Sequence, residues 1–251
     1  MLSQKYIFAI CIILIAVLEI RRGFLTRFPD YWASVNKAKY AGLILAACAG
    51  GLLLVPFDPY LIQEVQEINQ PAMLQLIDIG KWLGKGNGAW GVAMTLFFGF
   101  WAIRKRDWQL LAFGSLVAGA LNGLTVHIIK FLVSRARPLV EEGHLHFFDH
   151  KSMLEETGRY MSFPSGDVST TAGVAVFFFL WLSKRYSWLF LLFPVLTMLS
   201  RMQLDKHWPS DTLAALLLSF VTGSFVLNYM RFVKAHPSVM KGSDPESPKS
   251  V

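Results

Sequence analysis

The chain has 251 residues, enough for one domain, and 54% of them are hydrophobic against only 16% charged. That balance excludes an ordinary soluble domain, because the charges fall in short clusters between apolar runs of membrane-crossing length. A formal charge of +7 could suit nucleic acid, but the positions of the cations argue otherwise.

The first run, Tyr6 to Ile20, is preceded by Lys5 and followed by Arg21 and Arg22 rather than by a small-residue cleavage site, so it reads as a retained transmembrane helix and not a signal peptide. Further apolar runs fall at about 41–56, 89–103, 108–133, 165–183, 187–203 and 210–232, which predicts seven spans in all. Cys11 and Cys48 lie in separate runs, so no disulfide is expected. Between 57 and 88 the pattern changes: Tyr60 to Asn69 interleaves apolar residues at helical spacing with Gln63, Glu64, Gln66 and Glu67, the mark of an amphipathic surface helix. Beyond Phe232 the tail carries Pro237, Gly242, Pro245 and Pro248 among Ser and Lys, a composition that predicts disorder. The expected fold is all-α, a polytopic membrane helix bundle. Its parts are an N-terminal helix and cytoplasmic loop at 1–40, a core at 41–232 and a cytoplasmic tail at 233–251.

The cations set the orientation. With the N-terminus outside, 14 of the 24 Lys and Arg lie on the inner side, in three tight connections and the tail, as positive-inside retention requires. The other ten, Lys5, Lys81, Lys85, Lys130, Arg135, Arg137, Lys151, Arg159, Arg201 and Lys206, fall on the outer side and need another explanation.

Three segments at the outer helix ends supply it: Lys130 to Pro138, Ser162 to Asp167, and Ser200 to Asp211. Lys130, Arg137 and Arg201 offer fixed positive charge, and the two arginines suit paired hydrogen bonds to phosphate oxygens. Pro164-Ser165-Gly166 precedes a helix, whose free N–H groups and positive dipole end favour an anion, and Gly166 allows close backbone approach. His207 is a candidate nucleophile for phosphorus. Asp211, four residues on with Pro209 suited to the first helical turn, is placed to fix its tautomer. Taken singly, each part has a plainer reading: Lys130 and Arg135 as cations reaching for the interface, Ser165 and Asp167 as helix caps, His207 and Asp211 as a structural pair.

The combination Lys130-x6-Arg137-Pro138, Pro164-Ser165-Gly166 and Ser200-Arg201-x5-His207-x3-Asp211 resembles the three signature segments of the type 2 phosphatidic acid phosphatases. The resemblance covers about residues 41–232, leaving the first helix additional to a six-helix core. It implies a metal-independent membrane phosphatase, without cofactors, that forms a phosphohistidine. His207 would be the nucleophile, Asp211 its orienting partner, and Lys130, Arg137, Ser165, Gly166 and Arg201 the phosphate cradle. The family's soluble haloperoxidase branch does not suit an embedded chain.

One position departs from the pattern. The family usually has a histidine after Pro-Ser-Gly to protonate the leaving oxygen, and here Asp167 stands instead. Three readings stay open: Asp167 is protonated in the substrate complex and is the acid; it is a cap or binds a substrate hydroxyl or amine; or His144, His146 or His150 supplies the proton. The string from Ser162 to Ser169 is similar to the lipid A 4′-phosphatase branch. Expected partners are the bilayer and a membrane lipid phosphate, lipid A or undecaprenyl diphosphate among the candidates, with the site facing the periplasm or exterior of a bacterial inner membrane. A lipid phosphotransferase and a non-catalytic lipid-phosphate binder are the alternatives.

Other polar residues are set aside. His144, His146 and His150, with Glu141, Glu142 and Asp149, have spacing a metal could use, but a solvated or gating loop is the preferred reading. Asn122 and His127 lie within an apolar helix, and for His127 a helix-to-helix hydrogen bond is expected.

Overall fold

The computed structural model describes residues 4–85, 88–182 and 185–236, and no strand occurs among them. The helices are α1 (Gln4–Arg21), α2 (Phe28–Ser34), α3 (Lys37–Leu52), α4 (Asp58–Gln66), α5 (Pro71–Gly84), α6 (Gly88–Ala102), α7 (Arg106–Val133), α8 (His150–Glu155), α9 (Thr157–Tyr160), α10 (Gly166–Leu182), α11 (Leu192–Gln203) and α12 (Pro209–Ala235). Among the described residues each of the seven apolar runs is mostly helical, and the fold is a membrane-type helix bundle. Three stretches, Lys37–Gln66, Arg106–Val140 and Pro209–Ala235, are long and apolar enough to cross a membrane, and Gly88–Ala102 and Gly166–Leu182 are shorter apolar helices. The tail beyond 236, on which disorder was expected, lies outside the described residues.

Two compact units divide the chain, Met1–Asn36 with Asn228–Val251, and Lys37–Leu227. In the first, Tyr229 is the centre of an aromatic cluster. Phe24 and Phe28 pack edge-on to it at 5.0 and 5.6 Å, and its hydroxyl donates to the Phe24 carbonyl. Glu19, fully buried on α1, pairs with Arg22 at 2.8 Å.

The second unit is built on α7, against which α6 and α10 pack. Small residues let the α7 and α10 backbones nearly touch: a Cβ on Gly173 would lie 2.6 Å from Gly119 Cα. Asn122 then ties three helices together, its Nδ2 donating to Ser169 O at 2.9 Å and Ala215 O at 3.4 Å. A buried layer of Val168, Ala172 and Ala215 with Met198 and Leu216 lies close by on α10, α11 and α12.

One expectation, that for His127, needs correction here. The helix expected within Tyr60 to Asn69 is α4, and α5 follows it, whose buried Ile77, Gly80, Leu83 and Gly84 make a stripe three and four residues apart. That stripe meets α11 so closely that a Cβ on Gly80 would fall 2.1 Å from Leu196 O. His127 makes no helix-to-helix hydrogen bond among the described residues and is exposed. Asn122, Val126 and Lys130 hold the buried face at four-residue spacing, and His127 sits about 100° away from Val126.

Candidate active site

The three segments meet where α7 ends and α10 and α12 begin. Ser134 closes α7 in the left-handed conformation (φ 43°), and the chain leaves it in a run of buried residues, Ser134, Arg135 and Ala136. The α10 and α12 starts are joined directly, since Ser165 N–H donates to Asp211 O at 2.9 Å. That amide is therefore not free for a ligand, as the helix-start argument had it. Ser165 also caps α10, its Oγ accepting from Val168 N–H at 3.4 Å. Gly166 lies against Lys130, whose Cε would stand 3.6 Å from an added Cβ, so the protein itself would tolerate a side chain there.

Asp211 has two tasks. It is the third residue of α12, and its Oδ2 reaches back to accept from the N–H of Trp208, the capping position, at 2.8 Å. The same oxygen accepts from Ser162 Oγ at 2.5 Å and lies 3.6 Å from His207 Nδ1, an ionic distance rather than a formed hydrogen bond. Ser162 Oγ stands 3.4 Å from the same Nδ1. With Nδ1–H facing these oxygens, the lone pair belongs to Nε2. His207 is 2% exposed, and burial holds its imidazole at about 4, well below its usual value. The Asp211 carboxylate opposes that shift, and the charges of Lys130 and Arg137 add to it. A neutral imidazole next to cations is the result.

Arg135 and Lys130 do not reach outward. Arg135 is fully buried: Nη1 donates to Asp211 Oδ1 and Ser210 Oγ, both at 2.7 Å, and Nη2 donates to Asp58 Oδ2 at 2.7 Å and His144 O at 2.5 Å. Its guanidinium also covers the Phe147 ring at 4.5 Å. Asp58 completes the network by accepting from Ser210 N–H at 2.8 Å and from Ser210 Oγ at 2.5 Å. Sequence reasoning missed Asp58 and the role of Ser162, and its plainer reading had Arg135 reaching for the interface. The buried Lys130 ammonium donates to the carbonyls of Met161 and Ser162, the latter at 3.1 Å.

The two remaining arginines differ from Arg135. Arg137 Nε and Arg201 Nε are buried donors without a partner among the described residues. Arg201 is held by Asp167 Oδ2, 3.3 Å from Nη1, and by Lys81 O, 3.1 Å from Nη2, and it rests on Gly84, where a Cβ would lie 2.9 Å from Nη2. Arg137 feels the charges of Asp167, Asp211 and Arg201, so these groups share one electrostatic field. All eight candidate residues are accordingly gathered in one region. Asp167 enters it as the ion-pair partner of Arg201, with 38% of its side chain exposed.

The loop histidines stand apart. His144 contributes its backbone carbonyl to Arg135, His146 pairs with acidic loop residues, and His150 is exposed with Nδ1 3.1 Å from Phe148 O.

A family model described as the PAP2 superfamily matches residues 109–234, half of the chain. The chain belongs to the PAP2 superfamily. This PAP2 chain is similar to a lipid A 1-phosphatase of Rhizobium etli, 29% identical over 194 residues that cover 70% of this chain and 78% of the relative. A lipid A 1-phosphatase of Rhizobium johnstonii is 33% identical over 97 residues, 38% of each chain. Both relatives are named for the 1-position of lipid A, whereas the second segment resembled the 4′ branch. Among solved structures, that of Aquifex aeolicus LpxE superimposes with a TM-score of 0.50 at 20% identity, covering 68% of this chain and 95% of that one, which supports the same fold.

Proposed function

We propose that this protein hydrolyses a phosphate from the headgroup of a membrane lipid through a phosphohistidine on His207, with the site at the outer membrane face. The observation that carries this reading is the pair of buried, unpartnered Nε–H donors on Arg137 and Arg201 beside a neutral His207. Leaving a charged donor buried and unpaired costs roughly 1–3 kcal/mol or more, and phosphate oxygens would satisfy both. In the first step the His207 Nε2 lone pair forms a P–N bond as the P–O bond to the lipid breaks, and the lipid oxygen departs. Water then attacks phosphorus, the P–N bond breaks, and inorganic phosphate leaves with His207 neutral again. Lys130, Arg137 and Arg201 stabilise the charge on the equatorial oxygens.

The choice of lipid follows from Asp167. A carboxylate paired with Arg201 is a poor proton donor, so the acid reading is disfavoured, and the ion pair gives Asp167 a role not foreseen from the sequence, that of orienting Arg201. A site without a strong acid suits a leaving group that departs readily. The anomeric oxygen of a sugar 1-phosphate and the phosphate of a diphosphate are such groups, and a simple alkoxide is not. The names of the Rhizobium relatives point the same way, so a lipid A 1-phosphate is the first candidate and undecaprenyl diphosphate the second.

Purified protein in detergent should release phosphate from one of these lipids, and a radiolabelled phosphate should appear on protein as an acid-labile, base-stable adduct. Turnover within tenfold of wild type in His207→Ala, or no adduct in a rapid quench, would overturn the mechanism.

A further inference from the structure

The loop between the first two segments gathers a second group of chemically able side chains, separate from the phosphate cradle. Of the six candidate ligands there, the fold selects three: His146 Nε2 lies 3.0 Å from Asp149 Oδ2 and 3.1 Å from Glu142 Oε2, and the three ligand atoms all fall within 4.8 Å of one another. Nε2 carries at most one proton, yet it faces two carboxylate oxygens, so hydrogen bonding alone leaves one of them poorly served. Each carboxylate is also held by its other oxygen. Asp149 Oδ1 accepts from Ser152 N–H at 2.9 Å, and Glu142 Oε1 accepts from Tyr160 Oη–H at 2.7 Å. Carboxylates fixed in this way present their remaining oxygens in a set direction, as the ligands of a metal do.

We propose that Glu142, His146 and Asp149 bind a divalent cation of the zinc class, with water in the fourth position. Metal–ligand distances of about 2.0–2.2 Å place tetrahedral ligand atoms about 3.3–3.6 Å apart, so the two histidine–carboxylate separations need to open by only a few tenths of an ångström, and the carboxylate pair already lies within 4.8 Å. Access is direct, because Glu142 and His146 line a cleft of about 550 Å³ that includes space open to solvent, together with Gly143, His144 and Leu145.

The site is joined to the cradle through the backbone. His146 O accepts from Ala136 N–H at 3.1 Å, Asp149 O accepts from Ser134 Oγ at 2.7 Å, and Arg159 O, next to Tyr160, accepts from Arg137 N–H at 2.9 Å. A cation here closes a ring of contacts around Ser134–Arg137, the segment that carries Arg135 and Arg137. Its role is therefore to brace the cradle, and it takes no part in the chemistry at His207.

The test uses full-length protein carrying no histidine tag, stripped with a chelator, dialysed in detergent and titrated with Zn²⁺ by calorimetry. One ion per chain should bind with a micromolar or tighter Kd, weakened at least tenfold in His146→Ala and in Glu142→Gln. Zn²⁺ should also slow proteolytic cleavage within residues 139–163 of wild type and not of His146→Ala. Absence of saturable binding, or binding and protection unchanged in both variants, would overturn the proposal.

Discussion

Replacing Arg135 by methionine tests the buried network most directly. The wild-type side chain and its partners Asp58 and Asp211 are all fully buried, and both carboxylates are paired at 2.7 Å. Methionine keeps much of the apolar stem but leaves two carboxylates out of water without their cation. Breaking a buried pair by removing one partner costs about 3–5 kcal/mol. For a chain of this size each kcal/mol moves Tm by about 2–4 °C, so a fall of about 6–20 °C is expected. Asp58→Asn should cost less, roughly 1–3 kcal/mol, because Arg135 keeps Asp211, Ser210 and His144 O while the amide oxygen can still accept. Arg135→Lys should recover less than half of the loss, since one ammonium cannot span both carboxylates as the fork does. Thermal unfolding in detergent, followed by the fluorescence of the eight tryptophans, reads all three variants. A Tm drop under 3 °C in Arg135→Met, or one no larger than that of Asp58→Asn, would refute the reasoning.

Two further outcomes follow from the site. Asp167→Asn should keep turnover on a lipid sugar 1-phosphate or diphosphate within about tenfold of wild type while raising KM, because it loosens Arg201 without removing an acid. Steady-state kinetics check this, and a hundredfold loss of kcat with KM unchanged would restore Asp167 as the proton donor. His207 should titrate near pH 4 in the folded protein, against about 6.5 in an unfolded chain. The sign is that of a lowered value. The folded imidazole stays neutral at any pH above about 4, and the stability it contributes above pH 6.5 is lost progressively as pH falls from 6.5 toward 4, the range in which the unfolded chain alone takes up the proton. NMR of ring-labelled histidines, with the His207 signal assigned by its loss in His207→Ala, measures the midpoint, and a value at or above 6.5 contradicts the burial argument.

Much of the candidate site was legible in the chain because its signature residues are local strings. Lys130 with Arg137, Pro164 with Gly166, and Arg201 with His207 and Asp211 each fall within a dozen residues, so spacing alone groups them. Asp58 carried no such signal, and Ser162, though it opens the second string, gave no sign of its bond to Asp211, 49 residues away. Asp58 sits 77 residues from Arg135 and 152 from Ser210, and an acidic residue before a proline at a helix start reads as an ordinary cap. Likewise α5 was hidden because Gln75, Asp78 and Lys81 interrupt its apolar residues, and its buried stripe has meaning only once α11 lies against it. His127 could have been placed from helical geometry, since Asn122, Val126 and Lys130 already define the inward face.

By itself the sequence determined the bilayer as solvent, the helical class and the kinds of groups that meet at the helix ends, because hydropathy and short motifs depend on residues near one another along the chain. Only the tertiary structure decided what each charge does. Burial and pairing distance separate Arg135, spent on two carboxylates, from Arg137 and Arg201, whose buried Nε–H donors have no partner among the described residues. The same geometry ties Asp167 to Arg201. A charge's role is set by the groups that replace its water, and those come from distant parts of the chain.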